Sequence, residues 1–189
     1  PWVDLRAYLP SGYVTDGTVT YTTQFQAAVT AAGTSAERRL LVPAGTWRLG
    51  AVTIAAPLTI EGAGPGATVL KSVTRTSGGG KVSSSTILSA NAVANVTIRN
   101  LRLDGGIAPA GFSDTDETTL QALVELTDCP SPTVENVDVI RYFGNSARYT
   151  DTWAAGADHT YKNAPFWLHG ASHPILRNLN FRSDYPNYG

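Results

Sequence analysis

The stretch ILSANAVANVTIRNLRL, residues 87–103, returns twice without a gap, as LVELTDCPSPTVENVDV at 123–139 and as PFWLHGASHPILRNLNF at 165–181. The copies are offset by 36 and then 42 residues, counted from Asn100 to Asn136 and from Asn136 to Asn178. Six apolar columns agree across them: Leu88/Val124/Phe166, Ala90/Leu126/Leu168, Val93/Cys129/Ala171, Ile98/Val134/Leu176, Leu101/Val137/Leu179 and Leu103/Val139/Phe181. Within each copy apolar and polar residues alternate in short bursts broken by turns, the pattern of strands with one buried face. Each Asn sits where the alternation breaks, at a corner needing left-handed backbone and a side chain that bonds to its own main chain. A looser fourth copy, AVTIAAPLTIEGAG at 51–64, puts Gly62 in the Asn place, 38 residues before Asn100. Glycine is expected to meet the same backbone demand there because it has no Cβ.

One such repeat cannot bury its own faces, so copies must stack, with equivalent side chains about 4.8 Å apart. The expected architecture is a parallel β-helix in which the asparagines form a ladder. The outward columns agree with that register: Arg99/Glu135/Arg177 and Arg102/Asp138/Asn180 alternate in sign or turn neutral and do not pile up like charges. These acids and bases read as surface pairs of the scaffold.

Upstream, TTQFQAAVTAA at 22–32 spaces Phe25, Ala28, Val29 and Ala32 as one face of an amphipathic helix, with Thr23 and Gln26 set as a capping box. A stacked sheet needs its first strands shielded from water and from edge pairing. The helix is therefore expected to cap the N-terminal end, before LLVPAGTWRLG enters the first strands.

The 189 residues suit a single domain. Charged residues make up 15% and the formal net charge is −1, so no basic field draws the chain to nucleic acid or an anionic membrane surface. No apolar run approaches the roughly 20 residues of a membrane span. The lone Cys129 cannot form an internal disulfide, and its inward column makes it a small buried hydrophobe. The chain contains no Met and is expected to be a processed or excised piece. Its abundance of Thr over Lys fits an extracellular protein, secreted or on a virion surface.

VDLRAYLPSGYVTDGT, TTQFQAAVTAA and LLVPAGTWRLG, in that order, resemble the entry module of the pectate-lyase-like superfamily of right-handed β-helices. Polygalacturonase-type glycoside hydrolases, epimerases and phage tailspikes share that module. The resemblance covers about residues 3–71 and speaks for fold more than for activity. It departs from the family where an acidic run before the helix is reduced to Asp16. A second segment, NAPFWLHGASHPILRNLNFRSDYPNYG at 163–189, is similar to the polygalacturonase strand pair that precedes an Asn-Thr-Asp-Gly loop. The resemblance implies that the catalytic carboxylates lie beyond this chain, and no residue here matches that loop's Asp.

Glycoside hydrolysis needs two flanking carboxyl groups. Asp184 lies closest to the expected catalytic region, where it is either a candidate acid or a turn former before Tyr185 and Pro186. Asp114, Asp116 and Glu117 cluster in an inter-strand loop, either solvated or a set of oxygen ligands for Ca²⁺. His159, His169 and His173 match no zinc spacing, so neither a metal nor a cofactor is expected. RTSGGGKVSSS at 75–85 lacks the Gly-Lys-Ser/Thr order of a phosphate loop and reads as a flexible connection.

Aromatic residues crowd the last third, several within the insertion at 141–165. Long inserted loops often carry function, and aromatic faces beside polar groups suit sugar rings. Trp167 and His169 share the outward face of one strand, an unusual place for Trp unless something covers it. Trp153, Trp167, His169, Tyr185 and Tyr188 are the candidate substrate-binding residues. The alternative for the insertion's rings is a small core of their own.

The expectation is thus an all-β, right-handed parallel β-helix (solenoid) of four or five rungs, with a short N-terminal capping α-helix and an open C-terminal end. Residues 1–189 form one domain, the N-terminal portion of a longer one. Residues 1–39 are the entry segment and cap, and 40–189 the rungs, with inserted loops at 72–85, 104–121 and 141–165. Its expected partners are a polysaccharide or oligosaccharide, and further polypeptide of the same precursor or another subunit on the C-terminal rung. The expected function is the N-terminal part of an extracellular polysaccharide-degrading glycoside hydrolase. A viral tailspike or glycan-binding adhesin segment is the alternative.

Overall fold

The computed structural model describes residues 2–76, 82–106, 122–142 and 165–182. In chain order they hold β1 (Val3–Asp4), a 3-10 turn (Leu5–Tyr8), β2 (Asp16–Thr20), α1 (Thr22–Thr34), β3 (Arg39–Val42), β4 (Gly45–Leu49) and β5 (Val52–Ile54). Next come β6 (Thr59–Gly62), β7 (Thr68–Ser72), β8 (Thr74–Thr76), β9 (Val82–Ser84), β10 (Leu88–Asn91) and β11 (Thr97–Asp104). The repeats close the order with β12 (Val124–Thr127), β13 (Thr133–Ile140), β14 (Phe166–Trp167) and β15 (Ile175–Arg182).

Each of the three full copies contributes a short strand to one parallel sheet and a long strand to another. The first sheet runs β14-β12-β10-β5, with Leu88 beside both Val124 and Val52, and Val124 beside Phe166. In the second, β11, β13 and β15 lie side by side in the repeat's own register: Ile98, Val134 and Leu176 in one column, Leu103, Val139 and Phe181 in another. Among the described residues the result is a mostly parallel β architecture with one α-helix, its larger sheet curled about the asparagine corners.

Those corners explain the curl. Asn100, Asn136 and Asn178 have φ of 57°, 51° and 53°, the left-handed region that Asn enters at little cost. Thr97–Arg99 pairs with β6 before the corner, and Arg102–Asp104 with β7 after it. One strand thus joins two faces of the sheet. Asn136 Nδ2 donates to Asn100 Oδ1 at 2.9 Å, and Asn100 Nδ2 donates to Glu61 Oε1 at 3.3 Å.

Gly62 does not play the part the alignment gave it. Its backbone is outside the left-handed region, and a Cβ there would stand 2.4 Å from the carbonyl oxygen of Asn100. The first corner instead takes an excursion through residues 63–67, in which Gly64 N–H donates to Asn100 O at 2.8 Å and Ala63 N–H to Thr68 Oγ1 at 2.8 Å. Glycine is required for close approach, not for φ.

Helix α1 buries Phe25, Ala28, Val29 and Ala32, the face expected from their spacing, against β1, β3 and β5. The capping box does not form. Tyr21 is the N-cap and makes no side-chain cap bond, while Gln26 is used elsewhere: its amide accepts from Thr53 N–H at 2.8 Å and donates to Thr53 O at 2.9 Å. Thr22 Oγ1 accepts from Gly50 N–H at 2.7 Å. These side chains satisfy the adjoining sheet edge, which outweighs a local cap because an unpaired strand N–H beside a packed helix is costly.

The segment read as a flexible connection at 75–85 is flanked by paired strands. β8 and β9 pair antiparallel, Thr74 beside Ser84 and Thr76 beside Val82. Buried Ser72 locks the base, donating to Ser85 O and accepting from Ser85 N–H, both at 2.7 Å.

The apolar columns meet in one core. Leu88, Val124, Leu126, Cys129, Ile98, Val134, Leu101, Val137 and Leu103 are wholly buried. Cys129 is free, and its Sγ approaches Thr127 O at 3.3 Å. No helix among the described residues is long and apolar enough to cross a membrane.

Candidate functional site

Strand alternation sends the odd-numbered residues of the smaller sheet outward, so Thr53, Ser89, Glu125 and Trp167 fall in one register column. Trp167 is half-buried and His169 exposed. Their rings lie nearly parallel, 5° apart in plane with centroids separated by 6.2 Å. The next turn fixes this pair: Asp128 N–H donates to His169 O at 2.7 Å, and Gly170, at φ 65°, passes so close to Asp128 Oδ1 that a Cβ would overlap it.

Glu125 is the functional candidate the sequence reading passed over. It stands directly beside Trp167 on the neighbouring strand, and its Oε1 accepts from Thr86 Oγ1 at 2.8 Å. The signal is present in the repeat frame, where 125 and 167 are equivalent positions. A carboxylate, an imidazole and an indole thus share one outer face: an apolar ring surface beside a strong hydrogen-bond acceptor and a ring whose nitrogens can donate or accept.

The remaining candidates, Asp184, Trp153, Tyr185 and Tyr188, lie outside the described residues, as do the Asp114, Asp116 and Glu117 cluster and His159. His173 is exposed in the turn before β15, at φ 51°. Among the described residues no group of three or more His, Cys, Asp or Glu is placed to hold a metal ion.

Asp104 has a structural task. It is 1% exposed at the end of β11, accepts from Gly106 N–H and Arg141 Nε at 2.8 Å each, and is held by a second contact to the Arg141 guanidinium. Gly105 N–H donates to Ile140 O at 3.0 Å beside it. The ends of β11 and β13 are therefore clamped together where the segments at 107–121 and 143–164 begin. In the ladders, burial raises the Glu61 pKa, but hydrogen bonds from Arg99 and Arg39 outweigh it and hold the carboxyl below its ordinary value.

No family model matches the sequence, and no curated protein does. Two solved structures from Azotobacter vinelandii are similar to it in fold. The A-module of mannuronan C-5 epimerase AlgE6 matches at TM-score 0.54 and 21% identity, over 73% of this chain and 37% of that one. The A-module of AlgE4 matches at TM-score 0.50 and 20% identity, over 73% and 38%. The chain thus spans little more than a third of the modules it resembles. Both neighbours are right-handed β-helix proteins, consistent with the mostly parallel architecture of the described residues. The likeness is one of fold and carries no specific link to polygalacturonases or tailspikes.

Proposed function

We propose that this chain forms the first coils of an extracellular, polysaccharide-acting right-handed β-helix, and that the outer face of its smaller sheet binds the sugar chain. The observation that carries this reading is the Trp167–His169 ring pair in register beside Glu125. Pyranose rings present C–H faces that stack on indole, while their hydroxyls donate to carboxylate. The fold shared with mannuronan C-5 epimerase modules supports a polysaccharide ligand. The reaction we assign is acid/base hydrolysis, with its carboxylates outside the described residues. Glycan binding without cleavage, as in an adhesin, is the second reading.

Titration calorimetry against a panel of neutral and uronic-acid oligosaccharides tests the binding face. Trp167→Ala is expected to lower affinity about 10-fold or more, the loss of one well-packed aromatic contact of roughly 1.5 kcal/mol. Unchanged affinity in that variant overturns the assignment. Product analysis then separates the chemistries: new reducing ends without unsaturation mean hydrolysis, unsaturated ends mean elimination, an altered uronate ratio without cleavage means epimerisation, and intact glycan means binding only.

A further inference from the structure

Charge alternates along the outward columns of the larger sheet. Glu61, Arg99, Glu135 and Arg177 stand side by side on successive strands, and Arg102 meets Asp138 in the next column. Arg48 and Lys71 break this rule among the described residues. The register sets Arg48 of β4 directly beside Lys71 of β7, both half-buried and both pointing outward between buried neighbours. Among the described residues neither makes a side-chain hydrogen bond or an ion pair. Like charges directly opposite one another destabilise a sheet, so the pair is unfavourable unless something negative answers it.

The nearby acids are committed elsewhere. Asp104 is the neighbour of Lys71 on its other side, but its buried carboxylate accepts from Gly106 N–H and from the Arg141 guanidinium. Asp16, on the edge strand β2 beside Thr46, turns its Oδ1 back to Thr18, accepting from the N–H at 2.9 Å and from the hydroxyl at 2.6 Å. The strands also hold the Lys71 stem in place. β2 shifts register between Asp16 and Thr20, and Gly17, at φ 77°, has room for no Cβ: one there would lie 2.6 Å from Thr46 Cγ2 and 3.6 Å from Lys71 Cδ. Lys71 therefore reaches across β4 towards β2, its stem packed and its ammonium at the surface.

We propose that Arg48 and Lys71 form a binding site for an oxyanion: the carboxylate, sulfate or phosphate group of a ligand on the outer face of the larger sheet. The guanidinium offers a planar fork of donors and the ammonium a point charge beside it, which together suit two oxygens of one such group. An anion between them replaces repulsion with attraction on both sides. That accounts for a like-charge pair in a sheet whose other charged columns alternate. The site lies on a different sheet from Trp167 and does not rest on the proposed function.

Amide chemical shifts of the 189-residue chain, titrated at constant ionic strength with sodium sulfate, sodium phosphate or galacturonate, test the site. Saturating shifts centred on β4 and β7 are expected, and none with galactose, the neutral control. Arg48→Gln and Lys71→Gln should each raise the half-saturating concentration at least about tenfold, and Lys71→Arg should retain binding. Saturation by galacturonate alone identifies a sugar carboxylate, and by sulfate or phosphate alone an ester group. Without anion, a double-mutant cycle of urea unfolding should show the two charges repelling: the double Gln variant gains less stability than the two single variants together. Packing lost with either stem cancels in that cycle. The proposal is overturned by the absence of saturation with all three anions, by saturation unchanged in both Gln variants, or by a coupling that is zero or attractive. None of these readouts involves Trp167, so failure here is distinguishable from failure of the functional reading.

Discussion

Gly62→Ala separates what the repeat predicts from what the structure requires. A Cβ at residue 62 would lie 2.4 Å from Asn100 O and 2.9 Å from both Leu101 Cβ and Thr68 Cβ, where real Cβ contacts essentially never fall below 3.0 Å. The Asn100 carbonyl must then retreat by at least the difference of 3.0 and 2.4, 0.6 Å. That oxygen accepts the Gly64 N–H at 2.8 Å, and moving it weakens the bond that closes the first corner. Overpacking of this kind costs about 1–3 kcal/mol, and a weakened hydrogen bond adds about 1 kcal/mol, so the expected loss is about 2–4 kcal/mol. Against a typical total of about 5–15 kcal/mol this is a large fraction. Gly62→Asn, which restores the residue of the other three copies, should cost at least as much, although a consensus argument expects it to stabilise. Gly66→Ala, with nothing within 4 Å of its Cβ, is the control and should stay within about 0.5 kcal/mol of the parent. The assay is equilibrium urea unfolding followed by far-UV circular dichroism, with midpoints converted at a common slope. A Gly62→Ala or Gly62→Asn protein as stable as the Gly66→Ala control would refute the reasoning.

Two further variants probe the ladders in the same assay. Asn136→Ala should lose about 2 kcal/mol, combining left-handed strain at φ 51° with the lost bond to Asn100, whereas Asn136→Gly should lose only about 1 kcal/mol; equal losses would mean that the corner is not strained. Glu61 has a lowered folded pKa, so its contribution is fully present above its ordinary value of 4.5 and fades as pH falls through the lowered one. Unfolding midpoints from about pH 6 to about pH 3 should drop more steeply for the parent than for Glu61→Gln, and parallel curves would show that the Arg39–Glu61–Arg99 group adds nothing to acid sensitivity.

How much of this was legible depended on whether a feature recurs. Asn100, Asn136 and Asn178 and the six apolar columns were readable because each stacked copy faces the same neighbours, so the same residue types return at the same places. The charge columns followed for the same reason, and Arg102 does meet Asp138 at 3.0 Å. What failed were single events. The five residues 63–67 shift the register between copies from 38, Ile60 beside Ile98, to 33, Leu70 beside Leu103, and nothing periodic announces such an insertion. Gln26 sits at the spacing of a local cap, yet a sheet edge across the chain offers it two bonds at once. The pairing of β8 with β9 was not legible either, because Gly and Ser dominate the composition there, while the strands' near ends are joined through Ser72 and Ser85.

The candidate site shows the same division. Its outward-facing members on the sheet were within reach of the repeat frame: Trp167 and His169 were read from it, and Glu125 could have been. Their relation is set by strand register, which fixes Glu125 beside Trp167 whatever the sequence of the adjoining insertions. The insertions are instead governed at their roots. Asp104 and Arg141 stand 37 residues apart in the chain, but burial of that carboxylate against the guanidinium binds the end of β11 to the end of β13. A buried ion pair that loses one partner is costly, so this clamp holds both departure points in place while the segments between them remain free to vary in sequence. A sheet face set by repetition is therefore legible in the sequence, whereas nothing periodic governs the residues of the adjoining insertions.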